Sequence, residues 1–279
     1  MTIALEVPAP PRTLRGRMHW MLRDGWTITR REFGHLRREP GQLVAALIFP
    51  AIMVLLFGYV FGSAIGVPGG GNYREYLMPG LFAMSAIAGV MASALLISKD
   101  VAEGVMDRFR SMPMARSAVP FGRTAADLQA AAVGVAIMAA IGLTVGWRAH
   151  NGLAATLAGF GLILLLRYAV SWIGVFVGLA VTPQTADSLV PLVFPISMLS
   201  NSFVPTTGMP GWLRLVADWN PISALVAACR ELFGNPTVAS LHASFPLRHP
   251  VAMTVGWSLL LLVVFVPLSA RRYQTAGRH

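Results

Sequence analysis

Long blocks free of Asp, Glu, Lys and Arg alternate with short charged stretches along the chain. The blocks cover positions 40–73, 76–98, 128–147, 149–166, 168–186, 188–213 and 249–270. A helix rising 1.5 Å per residue needs about 20 apolar residues to cross a bilayer, and most of these blocks meet that length. The pattern predicts six spans, over 42–63, 76–98, 122–147, 153–181, 188–204 and 250–269, with Pro50 as a kink in the first.

Three segments fall outside the spans. Residues 17–39 interleave Met18, Leu22, Trp26, Phe33 and Leu36 with Arg23, Arg30, Arg31, Arg37 and Arg38. An amphipathic basic helix of this kind lies in the headgroup plane, with Trp20 and Trp26 as anchors; a solvated basic tail is the plainer alternative. Pro40 and Gly41 end it. Residues 99–117 form a charged loop after span two. Residues 205–236 are punctuated by Pro205, Pro210 and Pro221, yet Trp212, Leu215, Val216 and Trp219 share one helical face, and so do Ile222, Leu225, Val226 and Cys229. Those pieces are too short to span, so they read as two re-entrant helices on the extracellular side, packed on protein or lining a cavity. The expected fold class is therefore all-α integral membrane: one transmembrane domain over 1–279, with six transmembrane helices, an N-terminal interfacial helix, a short cytoplasmic helix and a re-entrant segment before the last span.

Composition agrees with that class: 55% of the 279 residues are hydrophobic, 12% are charged, and the mean hydropathy is +0.62. The formal charge of +10 raises nucleic acid as a partner, but the arginines sit between spans and at the two ends. Their placement follows the positive-inside rule with both termini cytoplasmic, and the plasma membrane of a bacterium is the expected location. Eight arginines in the first 41 residues, with no long apolar run, speak against a cleaved signal peptide. The single cysteine, Cys229, excludes an internal disulfide. The six histidines show no ligand spacing, and no nucleophile motif is present, so neither a metal site nor an enzyme active site is expected. A phosphate-binding loop needs Lys directly after Gly; the only lysine, Lys99, follows Ser98, so any ATP-driven activity needs a partner subunit to hold ATP and Mg.

Two regions carry candidate function. In the 99–117 loop Asp100, Glu103 and Asp107 lie at helical spacing, followed by Arg108, Phe109, Arg110 and Pro113. Charge pattern alone leaves a docking helix and an ordinary solvated helix equally open. Arg167 sits near the middle of span four, where a charge costs roughly 2.5–3.5 kcal/mol, with Asp127 and Asp187 as candidate partners. A path or gating charge and a structural ion pair are both open there. Met84, Met91, Met138 and Met198 suit varied apolar substrates but are equally ordinary core or lipid-facing residues.

The chain resembles permeases of the ABC type-2 exporter family, daunorubicin-resistance subgroup. The resemblance rests on Pro50 and Gly62 around span one, Tyr76-Leu-Met-Pro-Gly80, Asp100 through Arg116, and Leu199-Ser-Asn-Ser-Phe-Val-Pro205 with Met209 to Leu213, Asn220-Pro221 and Arg230. It implies a dimer with the same or a sister permease, and a soluble ATPase subunit bound to each. It also implies ATPase coupling through Asp100, Glu103, Gly104, Asp107, Arg108, Phe109, Arg110 and Pro113. Candidate substrate-path or gating residues are Arg167, Asn201, Phe203, Trp212, Asn220 and Arg230. The expected cargo is a hydrophobic or amphiphilic small molecule (drug, antibiotic, polyketide or lipid) taken from a lipid environment. Export of a lipid-linked polysaccharide is the neighbouring alternative. A self-sufficient channel or ion-coupled transporter is a third reading, weakened because only Arg167 is a mid-membrane charge.

Overall fold

The computed structural model describes residue 48 and residues 51–61, 72–104, 118–237 and 244–275. Its regular elements are all helical over these residues. Helix α1 (Ala51–Val60) widens into a π-helix over Leu56–Phe61. Then follow α2 (Tyr73–Ala102), α3 (Ala118–Val145), α4 (Gly152–Gly178), α5 (Pro183–Leu189) and α6 (Val193–Met198). Helices α7 (Gly211–Trp219), α8 (Pro221–Phe233), α9 (Phe245–Arg248) and α10 (Pro250–Thr275) complete the order. Among the described residues, four helices are long and apolar enough to cross a membrane: α2, the 127–145 part of α3, α4, and 250–273 of α10. The expected interfacial helix at 17–39 lies outside the described residues, as does most of the first expected span.

The stretch read as span five, 188–204, is not one continuous helix. α5, a 3-10 turn at Val190–Leu192 and α6 follow one another, and the helical run stops at Met198. Pro191 and Pro195 each remove a backbone donor, which breaks the regular ladder. Helix α2, by contrast, is delimited at both ends. The Asn72 side chain accepts the Arg74 amide at 3.0 Å, and Glu75 and Lys99 lie in the first and last turns. Gly104, in the left-handed region at φ 65°, ends it.

The centre of the bundle is the α2–α4 pair. A Cβ at Gly174 would overlap the Val90 carbonyl, and one at Gly178 would overlap that of Ala94. Glycines four apart on one helix face let two backbones close to van der Waals contact, which drives helix association where lipid removes the hydrophobic effect. Helix α10 packs on the other side of α4, and α8 is wedged among α2, α4 and α10. Ile222, Leu225, Val226, Cys229 and Phe233 of α8 are all buried. At about 20 Å for its 13 residues, α8 is shorter than the roughly 30 Å hydrocarbon core.

Two ends of the bundle are distinguished by their contacts. At one end, the His150 amide donates to the Phe233 carbonyl at 2.7 Å and Asn151 Nδ2 to that of Glu231 at 2.8 Å. His150 also meets Glu75 at 3.0 Å. The start of α2, the α3–α4 connection and the end of α8 therefore gather together. Trp147, Phe82, Phe160 and Phe233 seal this end as a cluster of tilted and edge-to-face rings, with centroids 5.2–6.4 Å apart. At the opposite end Ile97, Val175, Leu179 and Tyr273 form a second buried cluster. The N-terminus of α8 reaches the level of mid-bundle. Asn220, Pro221 and Ile222 share an apolar cleft of about 230 Å³ with Ile87, Met91, Val170 and Trp257.

Candidate functional site

Helix α8 presents Arg230 to the interior for local reasons. The Asn220 side chain accepts the Ile222 amide at 2.9 Å and Pro221 opens the helix, while Gly234 at φ 69° closes it. Within that frame Arg230 follows Ile222 and Val226 at four-residue intervals and falls on the same buried face.

Arg230 is 3% exposed and holds three carbonyls. Nε and Nη2 both donate to the Tyr76 carbonyl, at 3.1 and 2.9 Å, and Nη2 also donates to the carbonyls of Asn201 at 3.0 Å and Ser202 at 3.1 Å. Its guanidinium carbon lies 3.5 Å from the centroid of the Tyr76 ring, a close cation–π contact. No carboxylate lies within ion-pair distance of Arg230 among the described residues.

The loop after α6 is built around this side chain. The Asn201 amide donates to Ser223 Oγ at 3.1 Å, and Asn201 Nδ2 donates to the Ser223 carbonyl at 3.3 Å. Asn220 Nδ2 donates to the Leu199 carbonyl at 2.9 Å. Tyr73 Oη donates to the Phe203 carbonyl at 3.1 Å, and Tyr76 Oη to that of Asn201 at 3.4 Å. Gly80 of α2 meets the same loop so closely that a Cβ there would overlap the Ser202 carbonyl. Phe203 is buried between Phe57 and Phe194, at centroid distances of 5.0 and 6.1 Å. Buried irregular backbone must find partners for its polar groups, and Arg230, the two tyrosines and Ser223 supply them here.

Arg167 belongs to a different arrangement. Its Nε and Nη2 donate to the two oxygens of Asp127, at 2.9 and 2.6 Å, and Nη1 donates to the Ser85 carbonyl at 2.7 Å. The fork joins α4 to α3 and α2, with both charged side chains mostly buried. Of the two partners weighed from sequence, Asp127 is the one in place, as a bidentate ion pair.

Of the six path or gating candidates, the structure brings Asn201, Phe203, Asn220 and Arg230 together. Trp212 stands apart: it is 72% exposed on α7, beside Leu215, Val216 and Trp219, which are also exposed. Among the coupling candidates, Asp100 is buried in the last turn of α2, Glu103 is exposed and Gly104 forms the helix stop. Asp107, Arg108, Phe109, Arg110 and Pro113 lie outside the described residues. Sequence reasoning missed Tyr73, Tyr76 and Ser223 as partners of the loop. The available signal was a pair of tyrosines three apart at the head of an apolar helix, since a buried tyrosine hydroxyl demands a partner.

The fold and this site define a polytopic membrane protein whose helices close around an irregular loop held by side-chain hydrogen bonds. A family model described as ABC-2 type transporter matches residues 23–233, and the chain belongs to that family. Members of it are membrane transport subunits that work with ABC ATPase subunits. The daunorubicin resistance ABC transporter permease protein DrrB1 of Streptomyces coeruleorubidus is 28% identical over 242 residues, covering 86% of this chain and 82% of the relative. The doxorubicin resistance permease protein DrrB of Mycobacterium tuberculosis is 28% identical over 262 residues, 89% and 87% of the two chains. A putative transport permease, ycf38, of Cyanophora paradoxa is 22% identical over 253 residues, 88% and 86% of the two.

Proposed function

We propose that this chain is the membrane-spanning permease of an ATP-driven exporter that moves an amphiphilic small molecule, of the drug, antibiotic, polyketide or lipid kind, out of a bacterial cell. The observation that carries the reading is the near full-length likeness to two permeases named for daunorubicin and doxorubicin resistance. ATP is hydrolysed on a separate subunit, because the only lysine lacks the preceding glycine of a phosphate-binding loop. A second permease, identical or a sister chain, completes the assembly.

In this reading the end of the bundle holding α7, α8 and the α3–α4 connection faces outward, and the end with Asp100, Glu103 and Tyr273 faces the cytoplasm with both termini. α7 and α8 form the re-entrant segment, and the loop from Lys99 onward docks the ATPase. The Arg230 node anchors the re-entrant segment to α2, so that a displacement of α2 is transmitted to it.

Co-purification of the tagged chain from mild detergent tests the assembly: recovery of a soluble P-loop ATPase, with drug-stimulated ATP hydrolysis, is expected. A chain that purifies alone and is inert to ATP would overturn the proposal. The orientation is tested by Thr207→Cys, since native Cys229 is buried and contributes little background. Labelling of intact cells is expected, and labelling only after permeabilisation would reverse the assignment.

A further inference from the structure

A cavity of about 370 Å³ opens beside the node, with Tyr76, Asn201, Thr207, Arg214, Arg230 and Arg248 in its wall. Among the described residues, three arginines against the carboxylate of Glu231 give the lining an excess of positive charge. Two of these arginines are engaged: Arg214 with Asp218 at 3.6 Å, and Arg248 with a contact of its own.

Arg230 is different. Its guanidinium is almost wholly buried, yet every hydrogen bond it makes goes to a neutral carbonyl. Nη1 makes none among the described residues, and it is not among the sealed polar atoms that lack a partner. That edge is therefore open to the cavity. Burying a cation costs several kcal/mol unless a counter-charge is supplied, and carbonyl dipoles with one aromatic face are a partial substitute. The wall thus presents one cation with no carboxylate in ion-pair distance among the described residues.

We propose that this cavity binds a phosphate ester, with Arg230 Nη1 as the principal donor and the phosphate as the missing counter-ion. A guanidinium edge matches phosphate oxygens in geometry as well as charge. The bearer is an amphiphile, because Arg214 belongs to α7, whose exposed Trp212, Leu215 and Val216 offer an apolar surface next to the cavity. This inference goes beyond the transport reading and is tested without transport.

The full chain is reconstituted in nanodiscs of phosphatidylglycerol and phosphatidylcholine with matched acyl chains, and the lipid retained after detergent extraction is counted by native mass spectrometry. In parallel, inorganic phosphate is titrated while melting is followed. The decisive variant is Thr207→Glu, at an exposed position in the cavity wall, which adds a carboxylate without touching the bonds Arg230 makes. Preferential retention of phosphatidylglycerol, reduced about tenfold in Thr207→Glu with its melting unchanged, is the expected result. Equal retention of the two lipids, with phosphate raising the melting temperature of the parent chain but not of Thr207→Glu, would assign the same site to a soluble phosphate compound. The proposal fails if neither lipid preference nor phosphate stabilisation is seen, or if Thr207→Glu leaves both unaltered.

Discussion

Arg167 and Arg230 are both arginines buried in an apolar helical bundle, and they are accommodated in opposite ways. Arg167 is matched by the two oxygens of Asp127 on a neighbouring helix, with the Ser85 carbonyl taking the third bond. Its charge is neutralised within regular structure, so the pair can be regarded as a cross-brace between helices. Among the described residues, Arg230 meets only carbonyls and the Tyr76 ring. Two of those carbonyls, from Asn201 and Ser202, belong to a loop that makes no helical bonds of its own. A paired charge stabilises a contact between elements that already exist, whereas the unpaired one supplies donors without which the loop could not be buried at all.

That contrast predicts a ranking of effects. Arg230→Met leaves the Ser202 carbonyl without its donor, the Asn201 carbonyl with only the 3.4 Å bond from Tyr76 Oη and the Tyr76 ring without its cation, and a loss of about 4 kcal/mol is expected, from roughly 1–3 kcal/mol per orphaned or weakened buried group. Most of the folded population should then disappear from a fluorescence size-exclusion trace, and a normal trace would deny Arg230 its structural role. Asp127→Ala strands Arg167 and is expected to cost about 3 kcal/mol. Combined replacement by Arg167→Met and Asp127→Leu should recover most of that stability, because a pair can be exchanged for apolar groups while a lone cation cannot. A double variant as unstable as the single one would collapse the distinction between the two arginines. Gly80→Ala forces a methyl against the Ser202 carbonyl and should lower thermal stability by about 2 kcal/mol, the range of an overpacked core. The mildest change is Glu103→Ala, at an exposed position: melting should stay as in the parent chain while ATP hydrolysis and export become uncoupled. Normal transport by a normally expressed variant would remove Glu103 from the docking surface.

The functional reading places the Arg230 node where mechanical coupling is needed. Tyr76 and Gly80 lie in the first two turns of α2, and Asp100 and Glu103 at its far end. One uninterrupted helix of 30 residues thus joins the expected ATPase-docking end to the loop that α8 holds. If the helix moves as a rigid rod, its carbonyl at Tyr76 carries Arg230 with it.

Much of the architecture is legible in the hydrophobic pattern. Charge-free blocks mark α2, α3, α4 and α10 because a helix that crosses lipid must be apolar all around, and such a run is visible residue by residue. The short helices α7 and α8 are legible from their prolines and from apolar spacing. The segment 188–204 misleads for the same reason that the others succeed: it is apolar and free of charge, yet Pro191 and Pro195 divide it into short pieces. Hydropathy reports what surrounds a segment and is silent on whether its backbone continues as one helix.

The site was legible only as a set of names. Sequence marks Arg167 as a charge in apolar surroundings, where it must have a partner, and Arg230 enters only through the family resemblance. It brings Asn201, Phe203 and Asn220 into view through the proline-rich stretch. It cannot show that Asp127, and not Asp187, answers Arg167, nor that Arg230 is answered by backbone. By itself, then, the sequence determined the membrane class and the positions of the long helices, because these depend on composition and local spacing. The tertiary structure alone decided which carbonyls Arg230 holds and that one edge of it stays open to a cavity. Those facts join residues up to 154 positions apart, and backbone acceptors are the same in every residue, so no side-chain pattern records them.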